Sequence, residues 1–370
     1  MVNADIEAVF GTVPAGLDID ADTRPGNTAA VVILLALATI SVGLRLVARS
    51  ITRTSVQIDD YLTILALVFV WGTAGLTFAG GAYGAGTHVW TLTIPKVVMI
   101  YRILFSYTFV YAASVSTTKI SILCFYYRIF QTGASRVFTI TLALAGFLAA
   151  TYPIIIWVTM PTACKPMSFF WEHFVAGTEG KCGVDISAFF LALGIINMIN
   201  DVFVLLIPVP QIWKLQMSLR KRLGVIAVLT LGSFVCIASI VRIHYLSAFM
   251  NAIDVTFVMG PVFIWSSAEP SIGILGACMP SFPPLVRLVK DKAKSGYATY
   301  RSNNSTKPIS SHTFSGRHHR VGVTGEDDEY QLTTVEKGPN GNFSGNGILV
   351  ESDINYSISM MSGGRSSSVS

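Results

Sequence analysis

Long apolar runs alternate with short polar connections along this chain. Seven runs stand out, at roughly Ala29–Ala48, Tyr61–Gly80, Val97–Phe130, Val137–Met160, Ile186–Val209, Leu223–Leu246 and Phe257–Met279. A helix rises about 1.5 Å per residue, so about 20 apolar residues cross the hydrocarbon core of a bilayer. Each run reaches about that length, and the third exceeds it. Pro153, Gly194 and Pro270 fall inside runs, and membrane helices tolerate both residue types. A large soluble helical protein would need amphipathic helices to face water, and seven such runs leave none. The pattern predicts an all-α, polytopic membrane protein of seven transmembrane helices. It divides the chain into a short extracellular segment (1–28), a seven-helix membrane domain (29–290) and a disordered cytoplasmic tail (291–370).

Composition agrees with this reading. Of 370 residues, 52% are hydrophobic and 13% charged, with mean hydropathy +0.58. A soluble domain carries about 25% charged residues. Neither a water-soluble enzyme nor a largely disordered chain fits. A net charge of +5 is too small to imply nucleic acid; its distribution carries topology instead. One set of connections holds Arg45, Arg49, Arg53, Arg128, Arg136, Lys214, Arg220, Lys221, Arg222, Arg287, Lys290, Lys292, Lys294 and Arg301. The other holds Arg24, Lys96, Lys165 and Lys181, that is, 4 against 14. Cytoplasmic loops carry the excess of Lys and Arg, so the expected N-terminus is outside and the C-terminus inside. The first ten residues have no basic or apolar signal-peptide pattern, which leaves the first span as the expected insertion signal.

The Ser-, Gly- and Asn-rich tail has too few apolar residues to fold alone. Its basic cluster (Arg317, His318, His319, Arg320) and acidic cluster (Glu326 to Glu329) read as solvated charge runs. The Ser-rich end, Arg365 to Ser370, is a phosphoacceptor like those of many disordered tails. A cytosolic partner of the tail is an expectation of the same kind. Sequons at Asn303, Asn304, Asn342 and Asn355 are expected to go unused on the cytoplasmic side.

Five cysteines are too few for a disulfide scaffold. Cys164 and Cys182 share the connection between the fourth and fifth runs, on the side that permits disulfides. We expect them to be bridged. Cys124, Cys236 and Cys278 lie in spans and read as small buried apolar residues.

Ionisable residues inside a membrane are expensive, at about 2.5–3.5 kcal/mol or more at the bilayer centre. Arg45 and Lys119 lie towards the cytoplasmic ends of their spans, where long side chains reach the interface. Arg102 and Arg242 lie towards the outer ends of theirs. Asp201 stands about 22 Å into span five. Asn197 precedes it by four residues and Asn200 adjoins it, so a polar stripe must face the bundle. Glu269 lies mid-span before Pro270, which frees the carbonyl of residue 266 and favours a bend. Asn197, Asn200, Asp201 and Glu269 are thus the candidate intramembrane polar network. A conformational switch and a fixed clasp between helices fit it equally.

The chemistry for catalysis is missing from the pattern. Span seven has no lysine for a retinal Schiff base. His244 is the one histidine in a span, so no converging zinc ligand set is expected. Nucleophile-elbow and His-Glu-x-x-His motifs do not occur, and the glycines of 80–86 lack the Lys-Ser/Thr of a phosphate loop. We expect no enzymatic activity and no cofactor or metal.

Several stretches resemble the fungal rhodopsin-like integral membrane proteins. Arg45 to Arg53 followed by Asp59-Asp60-Tyr61 resembles the family's basic loop and paired acids before the second helix. Gly84-Ala-Gly-Thr-His88 resembles its Gly-x-Gly-x-His turn. Lys119-Ile-Ser-Ile-Leu-Cys-Phe-Tyr-Tyr-Arg128 resembles the end of its third helix. Cys164, Trp171 and Cys182 resemble its outer loop. Asn200-Asp201, Pro208-Val-Pro210, Lys214 and Arg220 to Arg222 resemble its fifth helix and basic loop. Trp265, Glu269 and Gly276 to Pro280 resemble its seventh, and Arg242 is a further motif position. The resemblance covers roughly residues 29–290. The Cys-dense CFEM domain of some members has no counterpart in residues 1–28. Asp59 and Asp60 suit the N-terminus of span two and are placed to pair with Arg53 or Arg128.

The resemblance implies a receptor-like membrane protein that senses or signals, at the plasma membrane in preference to internal membranes, with a ligand the sequence does not name. A transporter or accessory membrane protein of a secondary-metabolite pathway is the alternative. A membrane scaffold is a third. G-protein coupling would rest on architecture alone.

Overall fold

The computed structural model describes residues 4–130, 135–214, 219–283 and 285–286. The tail features named above lie outside these residues, as do Arg287 and the basic residues after it. The side chains of Lys214 and of Arg220 to Arg222 also lie outside what is described.

Among the described residues, seven helices are long and apolar enough to cross a membrane. They are Arg24–Ile51, Ile58–Tyr83, Ile94–Phe130, Arg136–Thr162, Ile186–Leu206, Leu219–Asn251 and Val255–Cys278, the first to seventh spans. Most run several residues beyond the apolar runs. Helix ends need side chains to satisfy their orphan N–H groups, and such residues are polar. Asp185 accepts from the N–H groups of Ser187 and Ala188 at 2.9 and 3.1 Å. Ser135 accepts from Phe138 N–H at 3.2 Å. Span five stops earlier than the apolar run, at Leu206, and the short helix Val209–Lys214 follows. Pro208 and Pro210 stand at that break, and proline cannot donate to a helix ladder.

Span seven lies at the centre. Of its most apolar window, 72% is buried, against 22% in spans four and six. It packs on spans one, two, three and six, while span three packs on spans two, four and seven. Gly273 permits the close approach of spans seven and three: a Cβ there would lie 2.7 Å from Thr118 Cγ2. Ile33, Ile40, Val137, Ile140 and Phe147 point outwards from the bundle, as a lipid-facing surface requires.

A cap closes the N-terminal side. The helix Ala4–Phe10 was not expected from the sequence. It inserts the fully buried Ile6, and Trp90 Nε1 donates to Gly11 O at 2.9 Å. Cys164 and Cys182 form a disulfide between two paired two-residue strands, β1 (Cys164–Lys165) and β2 (Lys181–Cys182). The loop between them lays Phe170 and Trp171 against Phe105. Arg102 donates to Glu172 at 3.0 Å and stands 5.6 Å from the Trp171 ring. His173 packs at a tilt against the ring of Phe174, and burial holds its imidazole below the usual histidine value. His88 pairs with Asp254 and stacks on Phe257, and Asp254 Oδ1 accepts from Val89 N–H at 2.9 Å.

Candidate functional site: a charged layer between two cavities

Span three carries Tyr111 and Lys119, eight residues apart and so on one helix face. Span five carries Asn197 and Asp201, four apart. Spans six and seven add Ser239, Arg242 and Glu269. The bundle brings all seven together. Lys119 Nζ donates to Asn197 O at 3.0 Å and to Asn197 Oδ1 at 2.8 Å, and pairs with Asp201 Oδ1 at 2.9 Å. Asp201 Oδ2 accepts from Ser239 at 2.9 Å. Asn197 Nδ2 donates to Glu269 Oε1 at 2.6 Å, and Tyr111 OH donates to Glu269 Oε2 at 2.7 Å. Arg242 Nη1 donates to Tyr111 OH at 2.5 Å, and its Nε stands 3.7 Å from Glu269 Oε2. Two cations and two anions are thus interleaved, and four spans are tied together.

Three expectations about depth are corrected here. Lys119 does not reach an interface: it is 5% exposed. Span three runs on to Phe130, which places Lys119 about 16 Å from the helix end, beyond the reach of its side chain. Arg45 is 1% exposed and also points inwards. Arg242, expected towards the outer end of its span, is buried in the layer. Asn200, expected in the network, is buried, but its Oδ1 has no hydrogen-bond partner among the described residues. Trp265 is half-buried one turn before Glu269. Tyr111 and Ser239 were not singled out from the sequence, because hydroxyl residues in apolar spans are common and carry no positional signal.

A second ionic cluster lies towards the opposite end of the bundle from the N-terminal cap. Arg45 Nε donates to Asp60 Oδ1 at 2.7 Å, Nη2 to Asp59 Oδ2 at 2.5 Å and Nη1 to Ala277 O at 2.5 Å. Arg49 contacts both acids at 3.2–3.4 Å. Of the two partners expected for the acids, Arg128 reaches Asp59 at 3.4 Å, while Arg53 is exposed and does not reach them. Asp60 also accepts from Gln57 N–H at 3.0 Å, capping span two. Spans one, two, three and seven meet here. Trp171 belongs to the N-terminal cap, packed on Phe105.

Two cavities flank the charged layer. One, about 60 Å³, is lined by Tyr107, Tyr111, Tyr152, Phe190, Arg242 and Phe263 among others. The second, about 50 Å³, is lined by Lys119, Tyr126, Asp201, Glu269, Pro270 and Gly273 among others. The first uses the early residues of spans three, five and seven and the late residues of span six; the second uses the reverse. They therefore stack along the bundle axis, the first on the side of the N-terminal cap. Among the described residues, no group of three His, Cys, Asp or Glu is placed to hold a metal ion.

Seven membrane-spanning helices around a buried ionic layer define a polytopic seven-helix membrane protein. The model of the fungal rhodopsin domain matches residues 44–288, and the chain belongs to that family. It is 28% identical over 295 residues to Fugralins biosynthesis cluster protein 2 of Gibberella zeae, covering 78% of this chain and 73% of that one. It is 26% identical to a SAT4 family membrane protein of Emericella nidulans, covering 63% and 58% of the two chains. It is 24% identical to Receptor GIN3 of Arthrobotrys oligospora, covering 67% and 59%. It thus spans less than two thirds of the last two relatives. No solved structure matches it.

Proposed function

We propose that this protein is a receptor-like seven-helix membrane protein without catalytic activity, whose charged layer is the element that ligand occupancy biases. The observation that carries this reading is the interleaving of Lys119, Asp201, Arg242 and Glu269 between two cavities. Buried ion pairs have discrete partners, so a change at one cavity exchanges partners instead of deforming the bundle smoothly. The name of the Arthrobotrys relative supports the receptor reading. The N-terminus faces outside and the 291–370 tail faces the cytosol, where it meets its partner; the Lys and Arg count supports this orientation. The plasma membrane is the proposed location.

A transporter or accessory protein of a secondary-metabolite pathway is the second reading. Two cavities stacked across a charged barrier near mid-span suit alternating access. The Gibberella relative's name, a biosynthesis cluster protein, favours it too. A strain expressing Glu269→Gln in place of the native chain separates the two. Wild-type protein level with an altered transcriptional response to an external cue supports the receptor. Altered metabolite export with an unchanged response supports the transporter.

A further inference from the structure

We propose that the cavity on the N-terminal side of the charged layer binds an apolar monocarboxylic acid, whose carboxylate is gripped by the open edge of the Arg242 guanidinium. Arg242 is 5% exposed, yet its Nε and Nη2 have no hydrogen-bond partner among the described residues. Nη1 is engaged by Tyr111 OH at 2.5 Å, and the Tyr152 hydroxyl also stands against the guanidinium without a well-aligned hydrogen bond to Nε or Nη2. A buried donor without an acceptor is costly, so an acceptor belongs there. Nε–H and Nη2–H form one edge of the guanidinium fork. Their two parallel donors match the two oxygens of a carboxylate, as a single carbonyl oxygen does not.

Glu269 does not occupy that edge. Its Oε2 is 3.7 Å from Nε, outside hydrogen-bond reach. Both of its oxygens are served elsewhere, by Tyr111 OH and Asn197 Nδ2. Gly194 lines the cavity beside the edge, where a Cβ would make ordinary contact with Arg242 Nη2 at 3.7 Å, Leu246 Cδ2 at 3.5 Å and Ile243 Cγ1 at 3.4 Å. The remaining wall is mainly aromatic and aliphatic, with the hydroxyls of Thr108, Ser266 and the tyrosines as its polar atoms, which favours a ligand that is apolar apart from one polar group. Phe190 of span five and Leu246 of span six line it and are half-buried. They place a route between those spans from the lipid phase. The volume of about 60 Å³ holds about four to six water-sized groups, enough for a carboxylate and its first carbons. The rest of the apolar chain leaves between Phe190 and Leu246.

This deepens the receptor reading by naming a ligand class. The test uses the purified full chain in lipid nanodiscs, with octanoic acid, methyl octanoate and octanol as probes in calorimetry and thermal melting. Octanoate is expected to bind at least tenfold more tightly than the ester or the alcohol. Arg242→Gln is expected to lose at least tenfold. Since Arg242→Gln disturbs the charged layer, Gly194→Val serves as the second variant: it fills space beside the guanidinium, retains every charge, and is expected to weaken octanoate at least tenfold. Equal binding of acid and ester, unchanged affinity in Gly194→Val, or no binding at millimolar octanoate would each overturn the proposal. The last result would mean that water or Glu269 satisfies the edge. Failure here removes the ligand class, whereas an unchanged cellular response in Glu269→Gln removes the receptor reading, so the two failures are distinct.

Discussion

Lys119 of span three and Asp201 of span five form a buried ion pair at 2.9 Å. The lysine has three donors. All three are used, on Asp201 Oδ1, Asn197 Oδ1 and Asn197 O. The pair is therefore a saturated joint between two helices, with no donor left for water.

Removing one member strands the other's charge, at a cost of about 3–5 kcal/mol. Lys119→Met alone and Asp201→Leu alone should each lower folded yield sharply. The double variant Lys119→Met/Asp201→Leu should recover a large part of the loss, and Asp201→Asn should be tolerated. Melting temperatures of the wild type, the two single variants Lys119→Met and Asp201→Leu, and their double form a cycle that checks the coupling. A double variant whose loss equals the sum of the two single losses would show that the residues act independently.

Arg45 joins spans one, two and seven through Asp60, Asp59 and Ala277 O. Lysine cannot reproduce this three-way fork. Arg45→Lys should keep the charge yet destabilise measurably, and Arg45→Ala should cost about 3–5 kcal/mol. Detergent melts of both would read this. An Arg45→Lys melt equal to wild type would show that charge alone suffices.

The bridge between Cys164 and Cys182 closes a loop with a sequence separation of 18, worth about 3 kcal/mol in the chain-entropy model. Peptide mapping without reduction should recover the two segments linked. Cys164→Ser/Cys182→Ser should lower the melting temperature while retaining the helices by circular dichroism.

Topology is tested by reporters. Fusions after Ser370 and within 211–222 should both read as cytosolic. An added sequon near Gly16 should be glycosylated. Native glycan at Asn342 or Asn355 would reverse the proposed orientation.

His173 gives the N-terminal cap a pH dependence of defined sign. Burial disfavours its charged form, so its folded value lies below the ordinary 6.5. The unfolded chain then binds more protons in the window just below 6.5. The associated stability is complete above 6.5 and declines as pH falls through that value towards the lower folded one. Hydrogen exchange in 166–182 should rise across that window, and His173→Phe should flatten the dependence.

The seven spans and the disulfide were legible in the sequence for local reasons. A bilayer needs a run of about 20 apolar residues whatever surrounds it, and span ends need polar caps close by in the chain. The stripe of Asn197 and Asp201 was legible too, since helical periodicity puts them on one face. Depth was not. Lys119 and Arg45 look like interfacial residues when counted from the ends of apolar runs, because the run of span three does not show which turn meets span five. Tyr111, Ser239 and the N-terminal helix carried no signal at all. By itself, then, the sequence determined which segments cross the membrane and which residues are too polar to face lipid. The tertiary structure alone decided their partners. Helix rotation and contact depth are set by packing between spans, and the distances between Arg242, Tyr111 and Glu269 exist only once spans three, six and seven are side by side.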